Sequence, residues 1–390
     1  MQMDECRRLC IVTDAFPLEE YPINHFLEQL VFAFADLGIT CDVIAPHCPL
    51  FLRIKGIAYK PKAHSVRLTK QGNKVNVYCP SFLSFMGRKR LGINFLSLYQ
   101  KAHCRSAMRF LRKHNQEYDA FYAHFILPSA LTAVKLGRKY NKPVFFAYGD
   151  SSIDDILRTF SPDYLRKQLQ TVNGVIAVSG KNRRELIDHH LVDADKIGVF
   201  LNAIDPSTFY VTNQNDARKE LGIGPEDFVV AFIGHFDNRK GSRRVSQAIE
   251  RLEGVKSIFI GAGKAAPDCR GILFSGRLPH HKIVTYLNAA DVFVLPTLAE
   301  GCCNSIIEAM ACGLPVISSN LPFNDDILDA SNSIRIDPRS IDEIADAISL
   351  LQASHEKRKE LSDGALKTAE KLTIDKRAEN ILTFMNARCG

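Results

Sequence analysis

Two carboxylates stand within the run "TLAEGCCNSIIEAMACGLP", Thr297–Pro315: Glu300 and, eight positions on, Glu308. A glycine, two cysteines, an asparagine and a serine follow Glu300 directly, and the run lies between the apolar segments "DVFVLP" and "PVISS". On one continuous helix the two carboxylates would stand roughly 80° apart. The sequence is better suited to a loop that carries Glu300, followed by a helix that starts near Ser305. Glu308 can then turn outward and accept hydrogen bonds from vicinal hydroxyls such as those of a ribose. The backbone N–H groups around Asn304 and Ser305 would face an anion. Ser305 and Glu308 also fit a capping box, which is a purely structural role. That role does not account for Glu300, which precedes the helix.

A second constellation is "AFIGHFDNRKGSRRVSQAIERL". An apolar strand ends at Gly234, a short loop carries His235, Arg239, Lys240 and Gly241, and a helix follows. Such a loop offers cations and free N–H groups to an anion, with the helix dipole assisting. The plain alternative is a solvated surface loop. The spacing is not that of a nucleotide-triphosphate loop ending in Gly-Lys-Ser/Thr. Further on, "GAGKAA" (Gly261–Ala266) imitates a dinucleotide fingerprint and raises a rival reading, a nicotinamide-dependent oxidoreductase. "PDCRG" stands where that motif needs a helix.

The elements that must position these residues alternate strand with helix. The first half supplies "LCIVTDAF", a helix through Phe26, Leu30, Val31, Phe34 and Leu37, then "ITCDVIAP", "YDAFYAHF", "KPVFFAYGD", "VNGVIAVS" and "KIGVFLNAID". The second half restarts at "DFVVAFIGHF" and continues through "VKSIFIGAG", "GILFSG", "DVFVLP" and "LPVISS". Apolar strands alternating with helices imply a parallel sheet covered on both faces. The fold class is therefore α/β, with two Rossmann-like, doubly wound domains whose strand C-termini face a central cleft. The polar stretch "TFYVTNQNDARKELGIGPED" reads as the linker. The expected division is 1–205, 206–370 and a C-terminal segment, 371–390.

Composition bounds the class. The 390 residues are 46% apolar and 24% charged, as in a soluble globular chain. No stretch is long and apolar enough to span a bilayer. The N-terminal region carries acid before its short apolar run and does not read as a secretory signal. The eleven cysteines have neither paired spacing nor a zinc pattern, which points to reduced thiols and a cytoplasmic location. The formal charge of +7 is uneven: Arg88 to Lys113 carries eight Lys/Arg and no acid, interleaved with Phe, Leu and Met. It reads either as a helix with a solvated basic face or as a patch for an anionic membrane surface. No nucleic-acid-binding motif accompanies it.

Taken together, the cationic strand–loop–helix, "GAGK" and "ADVFVLPTLAEGCCNSIIEAMACGLPVISS" resemble the donor-binding half of glycosyltransferase family 4, which has the GT-B fold. The likeness rests on Glu300, Glu308, Ala309, Met310, Ala311, Gly313, Pro315 and Val316. The resemblance implies that Glu308 holds the ribose of a sugar nucleotide, that Glu300 lies beside the transferred sugar, and that Lys240 contacts the diphosphate. Gly234, Gly301, Asn304 and Ser305 complete the donor set, and Arg277 and Leu278 of "GRLPH" take the base-pocket position. His235 stands where the family often has arginine, with Arg239 or Arg243 as compensating cations. In the first half the resemblance implies that His124 falls near the donor sugar and acts with Glu300 in catalysis. Asp150 and Asn202 fall on the acceptor or donor-sugar side, with Tyr148 and Ala203 as departures from the family pattern. "PLEEYPINHF" replaces the glycine pair that often follows the first strand.

The activity the resemblance implies is a retaining transfer from a nucleotide-sugar to a glycan or lipid-linked acceptor in polysaccharide or glycoconjugate synthesis. Phosphate charge would be stabilised by Lys240 and helix N-termini, and water excluded by domain closure. With no Asp-x-Asp motif, metal independence and no cofactor are expected. A sugar-nucleotide epimerase or a non-catalytic binding subunit on the same fold is the alternative.

Overall fold

The computed structural model describes residues 6–14, 16–17, 24–50, 61–84 and 94–389. They divide into two compact units: Met1–Leu201 with Asp375–Gly390, and Asn202–Ile374.

The first unit is built on an eight-stranded sheet: β1 (Arg8–Val12), β2 (Thr40–Ile44), β3 (His64–Leu68), β4 (Lys74–Tyr78), β5 (Ala120–His124), β6 (Val144–Tyr148), β7 (Gly174–Ala177) and β8 (Ile197–Val199), in the order β3-β4-β2-β1-β5-β6-β7-β8. All neighbours are parallel except β3 and β4. The central strands are buried along their length, and Phe121, Tyr122, Phe145 and Phe146 are sealed from solvent. Each such side chain is worth about 1.5–3 kcal/mol relative to leaving it in water.

The antiparallel β3–β4 hairpin was not expected. Its strands alternate exposed and covered residues, as an edge hairpin with one wet face should. Gly72 supplies the left-handed turn residue at φ 86°, and Asp36 accepts from the Thr69 hydroxyl and the Asn73 amide.

The second unit carries β9 (Phe228–Ile233), β10 (Val255–Ile260), β11 (Ile272–Gly276), β12 (Val292–Leu295), β13 (Val316–Ser319) and β14 (Ser333–Ile336) in the wholly parallel order β11-β10-β9-β12-β13-β14. The polar stretch read as a linker is part of this unit. It forms the helix Gln214–Leu221, capped by the Asn213 side chain and ended by left-handed Gly222. Arg218 of that helix, 4% exposed, pairs with Asp291 at 2.7 Å and also donates to the carbonyls of Ala289 and Pro225. Polarity alone suggested solvent; instead the segment is tied into its unit through Arg218, whose ion pair and carbonyl contacts reach the β12 side of the sheet.

The last helix, Ile374–Asn386, packs with the first unit, where the Asn386 amide oxygen accepts from the Cys6 backbone N–H. All eleven cysteines are free thiols, and only Cys269 and Cys389 are not fully buried.

Candidate functional site

In the second sheet β10 and β11 lie on one side of β9, and β12 to β14 on the other. The chain therefore reverses direction across the sheet between β9 and β12, where loops leaving the strand C-termini diverge and open a ligand crevice. The loop after β9 spans Gly234–Gly241, and the loop after β12 spans 296–303. Both of the constellations described above lie at this one point.

Glu300 is the centre. Its Oε1 accepts from Lys240 Nζ at 2.8 Å, from Thr297 Oγ1 at 2.9 Å and from Arg239 Nη1, which also donates to the Ala299 carbonyl at 2.8 Å. Lys240 and Glu300 are each 13% exposed. Burial works against the Lys240 ammonium, but Cys303 and Glu300 outweigh it and hold its pKa above the usual lysine value. Lys240 thus stays charged across the physiological range. Its Nζ also lies 3.8 Å from Cys303 Sγ, and the Cys303 thiol is itself pushed up by burial. The Lys240 backbone N–H donates to Asp237 Oδ1, and Gly241 at φ 84° turns the chain into the helix Ser242–Ile249.

The two loops are joined by backbone as well. Leu298 N–H donates to the Arg239 carbonyl, and Arg244 donates to the carbonyls of Pro296 and Asn238. A Cβ on Gly241 would meet the Arg244 guanidinium at 2.6 Å.

Close backbone approach also explains "GAGK". A Cβ at Gly261 would stand 1.9 Å from the Gly234 carbonyl oxygen, and one at Gly263 would stand 2.2 Å from that of Phe236. These glycines let β10 and its loop press against the β9 loop, and irregular backbone rather than a helix follows them. The dinucleotide rival loses its motif on that observation. His235 is 61% exposed, lies against Gly263, and has its Nδ1 3.7 Å from Asp237 Oδ2.

The helix carrying Glu308 runs Asn304–Ala311 with Cys303 at its N-cap, so Ser305 lies inside the helix and the capping box does not form. Ser305 Oγ instead contacts Cys303 Sγ and donates to the Ile233 carbonyl. Glu308 Oε1 lies 3.3 Å from His280 Nε2, and Phe209 stands edge-on to that imidazole at 5.1 Å. His280 belongs to the quoted "GRLPH", yet only Arg277 and Leu278 were singled out there. Arg277 is exposed and Leu278 half-buried, in the loop after β11. Gly301 is buried. The Asn304 amide oxygen is buried without a hydrogen-bond partner. Asn202 lies within this unit and donates to the Cys302 carbonyl at 2.9 Å, bracing the Glu300 loop rather than facing outward.

In the first unit His124 ends β5, 2% exposed, with Phe26 and Phe125 against its ring. Burial, assisted by Arg377, lowers its pKa to about 3, so the imidazole is neutral, and its Nδ1 has no hydrogen-bond partner. Asp150 follows β6, the next strand. Burial raises its pKa to about 7 against the Ile126 amide, with Asp14 and Glu185 adding to the rise and Lys181 opposing it. Its Oδ2 is buried and unpartnered. Behind it Tyr148 donates to Glu185 at 2.8 Å, which gives this departure from the family pattern a structural role.

Of the basic segment, Arg88–Arg90 lie outside the described residues, as do 18–23 of "PLEEYPINHF". The remainder forms the helix Phe95–His114, and Lys101, Arg105, Arg109 and Arg112 line its exposed face. None of these four is in an ion pair among the described residues. No described helix is long and apolar enough to cross a membrane, and no group of three or more metal-ligating side chains occurs among the described residues.

Two family models match: Glycosyltransferase Family 4 over residues 23–208 and Glycosyl transferases group 1 over 213–368. A protein named for teichuronic acid biosynthesis, the glycosyltransferase TuaC of Bacillus subtilis, is 24% identical over 381 residues, 92% of each chain. The D-inositol 3-phosphate glycosyltransferase of Mycobacterium marinum is 31% identical over 152 residues, 35% of this chain and 32% of that one. Among solved structures, sucrose-phosphate synthase from Thermosynechococcus elongatus superposes with a TM-score of 0.77 at 17% identity, over 98% of both chains. HepE of Anabaena, solved with UDP and glucose, gives 0.70 at 16%, over 98% of this chain and all of that one.

Proposed function

Because the chain is a family 4-type glycosyltransferase with the GT-B fold, we propose that it moves a sugar, with retention of anomeric configuration, from a nucleoside-diphosphate donor to a glycan or lipid-linked acceptor in cell-surface polysaccharide or glycoconjugate synthesis. The observation that carries this reading is the Lys240–Glu300 pair at the β9/β12 reversal. Lys240 supplies a buried positive charge to the leaving diphosphate, where low dielectric makes it count for more than in water. The helix beginning at Asn304 adds its free N–H groups. Glu308, held by His280, accepts from the ribose hydroxyls. The TuaC likeness and the UDP in HepE support the donor class and the polysaccharide setting.

On this reading no metal is required, since Lys240 and backbone N–H groups take the diphosphate charge; loss of transfer on adding EDTA would refute that. The exposed cationic face of helix Phe95–His114 docks the enzyme on the anionic cytoplasmic leaflet, at about 1 kcal/mol per basic residue near the surface. Co-sedimentation with phosphatidylserine vesicles at low salt, lost at high salt, tests this. The donor itself is found by a thermal-shift screen of UDP-, GDP- and ADP-sugars. One class should raise Tm in proportion to occupancy, followed by anomeric analysis of the product by NMR. No shift with any of them would refute the donor reading.

A further inference from the structure

We infer that Thr297 and Arg239 are positioning residues that fix the Glu300 carboxylate by a single oxygen and leave the other to meet the transferred sugar, an inference that rests on the donor-site reading above. The geometry is asymmetric. Three donors, Lys240 Nζ, Arg239 Nη1 and Thr297 Oγ1, converge on Oε1, while Oε2 carries no hydrogen bond among the described residues. A carboxylate oxygen has two lone-pair sites, so Oε1 is saturated and cannot take a substrate proton donor as well. All remaining accepting capacity lies on Oε2.

The supports are themselves anchored. Thr297 is fully buried in the loop just after β12, and its carbonyl accepts from Ser319 Oγ of β13 at 2.5 Å. Arg239 fixes the chain just ahead of Glu300 through the Ala299 carbonyl, and its own carbonyl accepts from Leu298 N–H. A glutamate side chain is otherwise among the most rotamer-rich. Holding one oxygen from both strands of the reversal removes that freedom before a ligand arrives. Lys240 serves two partners, the carboxylate and the diphosphate. Thr297 has no other evident ligand role, because its hydroxyl points to Glu300 and the Ala299 carbonyl.

The test uses the full chain and the donor found by thermal shift. Thr297→Val removes the hydroxyl at nearly constant volume, Thr297→Ser retains it, and Arg239→Gln alters a partly exposed side chain, so folding is preserved in at least one arm. Thr297→Val and Arg239→Gln should lower kcat about 10- to 100-fold, as loss of fine positioning does, and in Thr297→Val, whose hydroxyl has no other ligand role, the Kd for the free nucleoside diphosphate should stay within twofold of wild type. Thr297→Ser should keep at least half the wild-type kcat. Wild-type kcat in Thr297→Val, equal losses in the valine and serine variants, or a nucleotide Kd that weakens in step with kcat in Thr297→Val would each overturn the inference while leaving the donor site standing. Wild-type protein that binds none of UDP, GDP or ADP would overturn the donor reading and this inference with it.

Discussion

The strand ends of the two units handle polarity in opposite ways. At the β9/β12 reversal, charges are drawn together and paired: Arg239, Lys240 and Glu300 share one carboxylate oxygen, and His280 meets Glu308. At the ends of β5 and β6, charge is suppressed. Burial lowers the His124 pKa to about 3 and raises that of Asp150 to about 7, and each has a buried polar atom that lacks a partner. A site for a dianionic leaving group needs permanent, oriented charge. Buried hydrogen-bonding atoms without partners cost free energy until a ligand meets them.

The sharpest break of this contrast is removal of the permanent charges. Lys240→Ala should cut kcat/KM for the sugar nucleotide by about 10²- to 10³-fold and weaken the nucleoside diphosphate itself, as loss of one preorganised charge donor does. Glu300→Ala should cost a similar factor in turnover and leave nucleotide affinity within a few-fold. Steady-state kinetics beside calorimetric titration of the nucleotide separates the two. Matching profiles for both variants would mean that Glu300 is only a counter-ion for Lys240.

Glu308→Ala comes next, with a loss of about 10- to 100-fold in nucleotide affinity, the span of hydrogen bonds to a charged group. Fluorescence or calorimetric binding curves read it directly. An unchanged affinity would remove Glu308 from the ribose.

The last test concerns the suppressed charges, and its sign can be worked out. Asp150 has its folded pKa raised from 3.8 to about 7, so its contribution to stability is fully present below about 4 and is lost as pH rises to 7. His124 has its folded pKa lowered from 6.5 to about 3, so its contribution is present above 6.5 and is lost as pH falls toward 3. Between about 4 and 6.5 the two slopes, each about 1.4 kcal/mol per pH unit at most, oppose one another. Relative to wild type, Asp150→Asn should become more stable as pH rises through that window, and His124→Gln less stable. Urea unfolding at pH 4.5, 5.5 and 6.5 checks this; differences of the same sign for both variants would show that the groups are not held as described.

Much of the site could be read in advance from the order of residue types. Lys240, Glu300 and Glu308 lie in long runs whose apolar strands and glycines announce strand–loop–helix turns. Other features left a weaker trace. The β3–β4 hairpin alternates in "HSVRL" and "KVNVY", but these segments are short and weakly apolar. Helix Gln214–Leu221 is too polar for its periodicity to stand out, and the partner of its Arg218, Asp291, lies some seventy residues on. Thr297, His280 and the bracing role of Asn202 carry no local signal, because their partners come from another loop.

The sequence by itself determined two α/β units built on mainly parallel sheets and the residue types of the Gly234–Gly241 and 296–303 loops, because apolar periodicity and turn residues act over a few positions. Only the tertiary structure decided that Arg239, Lys240 and Thr297 converge on one oxygen, that Ser305 caps nothing, and that His124 and Asp150 lose their ordinary charge states. Those outcomes depend on which strand lies beside which, and on how much water the packing expels, and neither quantity is local to any stretch of the chain.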